Sequence, residues 1–267
     1  MVSDGLGDRC KQFEMAEAGR RALRGIPLVA RLDGRAFHTF TRDLRRPYDE
    51  AMSRCMIETT RTLVRETTAL VGYTQSDEIT LAWYEPSQSA SDYGFDGRFQ
   101  KLASVLAGMA SARFVQLVIE HLPAKARELP HFDCRVWQVP TLADAADAFI
   151  WREDDATKNS ITMAARAVYS DREIHEKDSA VKQDMLFQKG INWNDYPAFF
   201  KRGSYLQRRT TQKTLSEAER ARIPEAHRPA TDATFERSEV VEIDLPPVRR
   251  IGNLIAALFE RAAPEAR

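Results

Sequence analysis

The segment IPLVARLDG (residues 26–34) decides the fold, because an apolar run ends there at an Asp-Gly turn. Such a run predicts a strand that delivers the Asp33 carboxylate at its C-terminal end. Further along, ALVGYT (69–74) and ITLAWY (79–84) predict two strands that are joined by the polar turn QSDE (75–78). This predicted hairpin places Asp77 and Glu78 at its tip.

Two amphipathic helices and one more strand complete the pattern. Apolar residues recur at helical spacing from residue 49 to about residue 71, and again from Arg98 to Met109. FDCRVWQV (132–139) then alternates as a strand before Pro140. The order strand, helix, strand, strand, helix, strand predicts an α+β fold, in which two helices pack on one face of a four-stranded antiparallel sheet.

A change of pattern near Thr141 predicts two regions, a catalytic core over residues 1–140 and a mainly helical extension over residues 141–267. Helical patterns run to about residue 170 and again over residues 180–188. The apolar strip 251–259 favours packing or contact between subunits over membrane insertion. Before the first strand, residues 8–24 predict a short charged helix, and residues 85–97 predict a loop.

Composition excludes several classes of protein. The chain has 267 residues, of which 43% are hydrophobic, and 39 basic residues balance 39 acidic ones. This neutrality argues against a histone-like binder of nucleic acid, although it allows basic residues to gather on one face. The sequence lacks the run of about 20 apolar residues that spans a bilayer. Three widely spaced cysteines suit reduced thiols, so we expect a cytoplasmic protein without a membrane partner.

Three carboxylates are candidates for a metal site. If the first strand lies beside the hairpin, Asp33, Asp77 and Glu78 converge at one end of the sheet. Mg²⁺ is a hard ion that takes a few protein oxygens and keeps water and phosphate oxygens as its other ligands. Two such ions about 3.5–4 Å apart would hold the attacking and leaving oxygens of a phosphoryl transfer. The alternative is that these acids are ordinary turn residues.

Cations occur at two places in the chain. Arg98 and Lys101 stand three residues apart on the opening turn of a predicted helix, where they could bind a triphosphate. The strip from residue 201 to residue 209 mixes Lys201, Arg202, Arg208 and Arg209 with an aromatic residue, as in surfaces that contact RNA phosphates. Solvated surface is the alternative for both sets.

Six blocks of the sequence resemble the tRNA(His) guanylyltransferase family. In order, they are RLDGRAFH (31–38), YTQSDE (73–78), FDGRFQKLAS (95–104), FDCRV (132–136), WREDDATKNS (151–160) and FQKGINWN (187–194). Six blocks in the family's order make the match specific. Members of this family are 3′–5′ polymerases that add nucleotides to the 5′ end of tRNA, and their core is similar to the polymerase palm, a ferredoxin-like fold.

The resemblance implies a set of site residues. Asp33 and Asp77 would bind two Mg²⁺ ions with the backbone of Gly34, and Glu78 falls on a family acid that is important for activity. The implied nucleotide-binding residues are Gly34, Arg35, Phe37, His38, Arg46, Ser76, Arg98, Lys101 and Asn159. Lys189, Lys201, Arg202, Arg208 and Arg209 are the residues we expect to contact RNA, and the C-terminal region would complete the nucleotide site.

The implied reaction activates a tRNA 5′-phosphate with ATP or GTP, after which the 3′-hydroxyl of an incoming NTP attacks it. Eukaryotic members carry a histidine in the block after Trp-Arg, where this chain offers Thr157. That difference favours template-dependent repair of 5′ ends, as in bacterial and archaeal relatives, over obligatory addition of one G. The resemblance also implies a homotetramer.

Two other functions remain open from the residues alone. A nucleotide cyclase or nucleotide-signal synthase on the same palm would need the same acids, but it would not need the block over residues 151–194. A non-catalytic RNA-binding module would need neither the acids nor Lys101, and the chain has all of them.

Overall fold

The computed structural model describes residues 5–85 and 93–267. The strands are β1 (Leu28–Gly34), β2 (Val71–Gln75), β3 (Glu78–Trp83), β4 (Phe132–Gln138), β5 (Ser204–Thr214) and β6 (Thr234–Ile243). The helices are α1 (Gly5–Ala16), α2 (Phe37–Phe40), α3 (Glu50–Thr67), α4 (Phe99–His121), α5 (Leu142–Arg166), α6 (Asp171–Ile174), α7 (Ser179–Gln188), α8 (Ala198–Arg202), α9 (Glu217–Ala221) and α10 (Leu254–Phe259). Of the predicted loop 85–97, residues 86–92 lie outside the described residues.

The strands form one antiparallel sheet in the order β4-β1-β3-β2-β5-β6. Its first four members have the order expected of a ferredoxin-like palm, so the predicted fold class is confirmed. β1 lies between β3 and β4, and the register places Asp33 opposite Glu78 on one side and Asp133 on the other. Because β1 has a neighbouring strand on each side, Asp33 lies between β3 and β4 at this end of the sheet.

The alternation of side chains along β1 divides the core into two layers. Leu28, Ala30 and Leu32 are buried on the face that α3 and α4 cover, as the sequence predicts. Val29 lies on the opposite face, in a second cluster that contains residues of α5 and α10. The apolar strip near the C-terminus therefore packs on the sheet, and helices cover both faces.

The C-terminal region contains the predicted helices and also two strands that the sequence pattern did not predict. Residues 204–207 of β5 are buried beside β2, but the outer half of β5 is polar and mostly exposed. Because β5 and β6 pair with each other over ten positions, their backbone groups are satisfied without an apolar face. A polar, cationic hairpin of this kind has the composition of a loop.

Two helix boundaries differ from the prediction. α1 ends at Ala16 instead of continuing to residue 24, and Gly19 follows with a φ of +70°. α3 ends at Thr67, a few residues early, because Thr68 adopts the left-handed conformation that terminates helices.

Among the described residues, α4 is the one helix whose length and composition would allow it to cross a bilayer. Its buried side chains include Leu102, Leu106, Phe114 and Leu117, which pack in the core with residues of α3 and β1. Core packing therefore accounts for the apolar side of this helix.

Candidate active site

Asp33 and Asp77 meet at the end of the sheet. Asp33 is the penultimate residue of β1, and Asp77 lies in the two-residue turn between β2 and β3. The backbone amide of Gly34 donates a hydrogen bond to the carbonyl oxygen of Asp77 at 3.0 Å, which ties the strand end to the turn. Both acids line one cleft of about 710 Å³, hereafter the acidic cleft, between this end of the sheet and α5.

The turn itself has the geometry that its residues favour. Ser76 has a φ of +48°, which a short polar residue in a tight hairpin tolerates better than a bulky one. Its hydroxyl donates to Oδ1 of Asp77 at 3.0 Å. Ser76 therefore orients the Asp77 carboxylate toward the cleft that both residues line.

Gly34 and Phe37 form the floor beneath the two acids. A Cβ on Gly34 would lie 2.4 Å from Cδ2 of Phe37, so a side chain does not fit there. The Phe37 ring is only 2% exposed and packs against the rings of Phe40, Phe114 and Phe132. Phe37 thus packs in the hydrophobic core and also lines the acidic cleft, and its expected role in nucleotide binding stays a prediction.

Burial is the largest influence on the charge of Asp77. It raises the pKa of this carboxyl to about 6, and the hydrogen bond from Ser76 offsets part of the rise. The neighbouring charges of Asp33 and Glu78 raise the pKa further. A cation placed between Asp33 and Asp77 would therefore favour the ionised form of Asp77.

Glu78 also lines the acidic cleft, but protein donors hold its carboxylate. Oε2 accepts hydrogen bonds from the Gln75 side chain at 2.7 Å and from Nη2 of Arg152, and Nε of Arg31 lies 3.8 Å from Oε1. Burial raises the pKa of Glu78, and the charge of Arg152 is the largest opposing influence. Glu78 is thus an anion in an arginine cluster at the edge of the cleft.

Several other predicted residues line the acidic cleft as expected. Besides Asp33, Asp77 and Glu78, they are Gly34, Phe37, His38, Arg46, Ser76 and Asn159. The cleft also contains residues that the sequence analysis did not assign, namely Ala36, Thr41, Gln75, Asp155, Thr162, Met163 and Arg166. Most of these unassigned residues lie on α5. Their spacing of about one helical turn was the signal in the sequence that could have indicated a shared face.

A smaller recess of about 190 Å³ adjoins the acidic cleft, and the two share Thr41, Arg46, Gln75, Ser76, Asn159, Met163 and Arg166. Its other walls are largely aromatic and apolar, with Pro47, Tyr48, Met52, Phe199 and Phe200 among them. A flat aromatic group attached to phosphates could place its ring here and its phosphates in the acidic cleft.

Arg98 and Lys101 do not line the acidic cleft. α4 begins at the opposite end of the sheet, where the amide of Phe99 donates to the carbonyl of Arg20. The hydroxyl of Ser111, farther along α4, accepts from the amide of Phe132, which pairs with Gly34. Because α4 rises about 1.5 Å per residue, Arg98 and Lys101 lie about 15–20 Å from the acids along this axis. Within one chain they therefore lie away from this cleft, and their expected role in nucleotide binding stays a prediction.

Arg35 also lies outside the residues that line the cleft. Its side chain is exposed, and Nη1 lies 3.4 Å from Nε2 of His131, while its amide donates to the His131 carbonyl. Arg35 therefore fixes the segment after β1 to the segment before β4 in this structure.

The five residues expected to contact RNA do not form one surface. Three of them hold backbone carbonyls: Arg202 donates to Leu245, Arg208 to Arg65 and Arg209 to Arg261. Burial lowers the pKa of Arg209. Arg208 and Arg209 are consecutive in β5, so they point to opposite faces of the sheet.

The two lysines of that set lie over aromatic rings. Nζ of Lys189 is 5.5 Å from the centre of the Tyr169 ring, and Nζ of Lys201 is 5.6 Å from that of Trp193. Lys189 is exposed, whereas Lys201 is half-buried and donates to the carbonyl of Asn194. Lys189 is therefore the more accessible of the two lysines to a phosphate.

The donors in the cleft suit a hard cation. Asp33 and Asp77 supply carboxylate oxygens, and Gly34 lines the cleft with them. Within residues 5–85 and 93–267, no group of three or more His, Cys, Asp or Glu is arranged to hold a metal. An ion in this cleft would thus rely on two carboxylates and on oxygens from water or substrate, which is the usual coordination of Mg²⁺ in proteins.

Comparisons with known proteins agree on one family. The family model described as tRNAHis guanylyltransferase matches residues 7–140. The tRNA(His) guanylyltransferase of Schizosaccharomyces pombe is 29% identical over 210 residues, which cover 72% of this chain and 78% of that protein.

Two solved structures resemble the chain in both fold and sequence. A bacterial tRNA(His) guanylyltransferase-like protein in complex with ATP has a TM-score of 0.71 and 35% identity, and the match covers 77% of this chain and 87% of that one. A bacterial tRNA(His) guanylyltransferase-like protein in complex with GTP has a TM-score of 0.71 and 29% identity, with coverages of 92% and 94%.

Proposed function

The chain belongs to the tRNA(His) guanylyltransferase family, and we propose that it is a template-dependent 3′–5′ nucleotidyltransferase that adds nucleotides to the 5′ end of tRNA. The observation that carries this proposal is the pairing of Asp33 and Asp77 in one cleft beside an aromatic recess. ATP and GTP are its nucleotide substrates, as the two nucleotide-bound relatives support.

The reaction has two transfers at the same 5′-phosphate. In the first, a 5′-phosphate oxygen of tRNA attacks the α-phosphate of ATP or GTP, and pyrophosphate leaves. In the second, the 3′-hydroxyl of the incoming nucleotide attacks the activated phosphate, and the activating nucleoside monophosphate leaves. Both transfers place negative charge where Asp33 and Asp77 converge, so a cation is required between them.

Asp33, Asp77 and the carbonyl of Gly34 would hold two Mg²⁺ ions. Magnesium, when bound, lowers the pKa of the attacking hydroxyl and neutralises charge on the transferring phosphoryl group. The chain's own residues then orient the substrate. Ser76 and Asn159 lie between the cleft and the recess, where a hydroxyl and an amide can donate to phosphate oxygens.

Arg46 and His38 also line the cleft, where they can supply positive or hydrogen-bonding groups. Arg46 also lines the recess beside Tyr48, so its guanidinium can contact a phosphate while the ring of Tyr48 contacts a base. This division supports the binding of a nucleotide as a whole.

The more specific part of the proposal is that the opposing tRNA strand acts as the template for the added nucleotide. It is supported by Thr157 of α5, which stands where eukaryotic members carry a histidine. A protein without that histidine lacks one means of recognising tRNA(His). We therefore expect base pairing with the template strand to select the nucleotide that is added. We therefore propose repair of several tRNAs over addition of one G to tRNA(His).

A set of 5′-truncated tRNAs tests the proposal. Each tRNA lacks its first nucleotide and carries a different nucleotide at the opposing position, and it is incubated with Mg²⁺, ATP and labelled NTPs. We expect the complement of the opposing nucleotide to be added. Addition of G whatever the opposing nucleotide would contradict templating, and cyclic or linked nucleotides formed without RNA would indicate a nucleotide cyclase or signal synthase.

A further inference from the structure

A buried guanidinium, that of Arg152, joins the sheet to α5 at the edge of the acidic cleft. Its side chain is 7% exposed and that of Glu78 is 14% exposed. Nη2 of Arg152 donates both to Oε2 of Glu78 and, at 3.0 Å, to Oδ2 of Asp155. Arg152 therefore connects the start of β3 with the wall that α5 contributes to the cleft.

The connection continues along one face of α5. Asn159 stands one turn after Asp155, and its amide donates to the same Oδ2 at 3.1 Å. Asp155 and Asn159 both line the acidic cleft, whereas Arg152 itself is not among the residues that line it. A path of three hydrogen bonds thus links the side chain of Asn159, through Asp155 and Arg152, to Glu78 beside Asp77.

The same contacts limit what Glu78 can do. Because Arg152 and Gln75 both donate to Oε2 and Arg31 faces Oε1, the Glu78 carboxylate is engaged by protein on both oxygens. The register places Glu78 directly opposite Asp33, so a released Glu78 carboxylate would face the two acids of the cleft. Arg152 and Gln75 hold that third carboxylate in place at the edge of the cleft.

The ring of Trp151 packs against the guanidinium of Arg152 and also lies beside that of Arg31. The centre of the Trp151 ring lies 4.6 Å from Cζ of Arg152 and 5.7 Å from Cζ of Arg31. Nε of Arg152 is buried and has no hydrogen-bond partner among the described residues. This buried donor without a partner indicates that hydrogen bonding alone does not determine the position of Arg152.

From these contacts we propose that Arg152 is a positioning residue for the nucleotide-addition site. It holds the Glu78 carboxylate in its contacts at the cleft edge and orients the side chains of Asp155 and Asn159, which line the same cleft. This inference rests on the proposed function for its catalytic consequence. Its structural consequence, the binding of ATP with Mg²⁺, can be measured without tRNA.

The test compares Arg152→Gln, Arg152→Lys and the double variant E78Q/R152Q with the wild type. Arg249→Gln is the matched control. Arg249 pairs with Asp154, which lies next to Asp155 on α5, but the side chain of Arg249 is exposed. We expect R152Q to bind ATP with Mg²⁺ about 10- to 100-fold more weakly and to lower kcat for 5′ extension by a similar factor. R152K should recover part of both losses, and R249Q should match the wild type.

The double variant separates the positioning role of Arg152 from its effect on the stability of the folded protein. E78Q/R152Q contains no unpaired buried charge, so its thermal midpoint should recover toward that of the wild type. Its ATP affinity and kcat should stay as low as those of R152Q, because Asp155 still lacks its partner. Recovery of binding and rate together with stability would overturn the proposal.

A folded R152Q protein that binds ATP and reacts like the wild type would also overturn the positioning role. If the wild type binds ATP but extends no tRNA, the proposed function fails alone. The ATP affinities of the variants then still decide the role of Arg152.

Discussion

The amide of Gly34 donates to the carbonyl of Asp77 across 3.0 Å, and this one hydrogen bond aligns the two carboxylates of the cleft. It forms because the end of β1 approaches the β2–β3 turn closely, over the ring of Phe37. The position of Asp33 relative to Asp77 therefore depends on a residue without a side chain at position 34.

Gly34→Ala should disrupt this alignment. Its Cβ would lie 2.4 Å from the Phe37 ring, so either the ring or the strand end must move. We expect a loss of about 1–3 kcal/mol in the free energy of unfolding and a loss of 5′ extension. Urea denaturation and single-turnover kinetics measure the two effects.

Gly108→Ala is the matched control for that substitution. A Cβ at this position of α4 would meet no atom within 4 Å, and alanine favours a helix by up to about 1 kcal/mol. G108A should therefore be as stable as the wild type or more so. Equal stability of G34A and G108A would contradict the proposed contact with Phe37.

Asp77→Asn should stabilise the metal-free protein at neutral pH. Burial is the main cause that raises the pKa of Asp77 from its ordinary value of 3.8 to about 6 in the folded chain. The folded state thus holds its proton more tightly than the unfolded state, so stability from this group is present below pH 4 and is lost as pH rises through 6.

The difference of 2.2 pKa units, from 3.8 to about 6, corresponds to about 3 kcal/mol as an upper bound. D77N should exceed the wild type by up to that amount at pH 7.5, and the two should converge near pH 4. Urea denaturation of both proteins in chelator across that range provides the measurement. A constant difference at every pH would show that Asp77 does not titrate as stated.

Magnesium binding should show the complementary pH dependence. Because the proton on Asp77 must leave before its carboxylate can hold a cation, the apparent affinity should fall about tenfold for each pH unit below 6. Calorimetric titration with Mg²⁺ between pH 5 and pH 7.5 measures this change. Wild-type affinity that does not vary over this range would argue against Asp77 as a ligand.

Glu153→Ala should destabilise the packing of α5 on the sheet. The buried carboxylate accepts hydrogen bonds from the hydroxyl of Tyr205 at 3.1 Å and from the amide of Val248 at 3.0 Å. Their loss leaves two buried donors without partners, so we expect a cost of about 3 kcal/mol. Thermal and urea unfolding give the value.

Asp154→Ala provides the comparison at the neighbouring position. Asp154 pairs with the exposed Arg249, so its loss should cost less than about 1 kcal/mol. Similar costs for E153A and D154A would mean that the buried network around Glu153 contributes no more than a surface pair.

The core of the fold could be predicted from the sequence because its signals are local. The run that ends at Asp33 and the turn around Asp77 each specify a strand end by their own residues. The order of elements then brings the two ends together. Prediction failed for β5, whose outer half is polar, because pairing with β6 replaces the apolar pattern by which strands are recognised.

The site could be predicted only in part. Ser76 and Asn159 were found through family blocks, but the helical spacing of Arg98 and Lys101 did not reveal which end of the sheet α4 would start from. Similarly, no local pattern indicates that Arg152 of α5 meets Glu78, which lies 74 positions earlier in the chain. Contacts between distant elements depend on packing direction, which residue types alone leave open.

Extension of a 5′-truncated tRNA by wild type, D33N, D77N and D133N tests the central claim most directly. Asp133 is the register partner of Asp33 on β4 and is exposed, but it does not line the cleft, so D133N is the control. We predict that D33N and D77N lose at least about 100-fold in the rate of nucleotide addition, while D133N stays within about threefold of the wild type. Wild-type rates for folded D33N and D77N would contradict the claim that these two carboxylates carry the reaction.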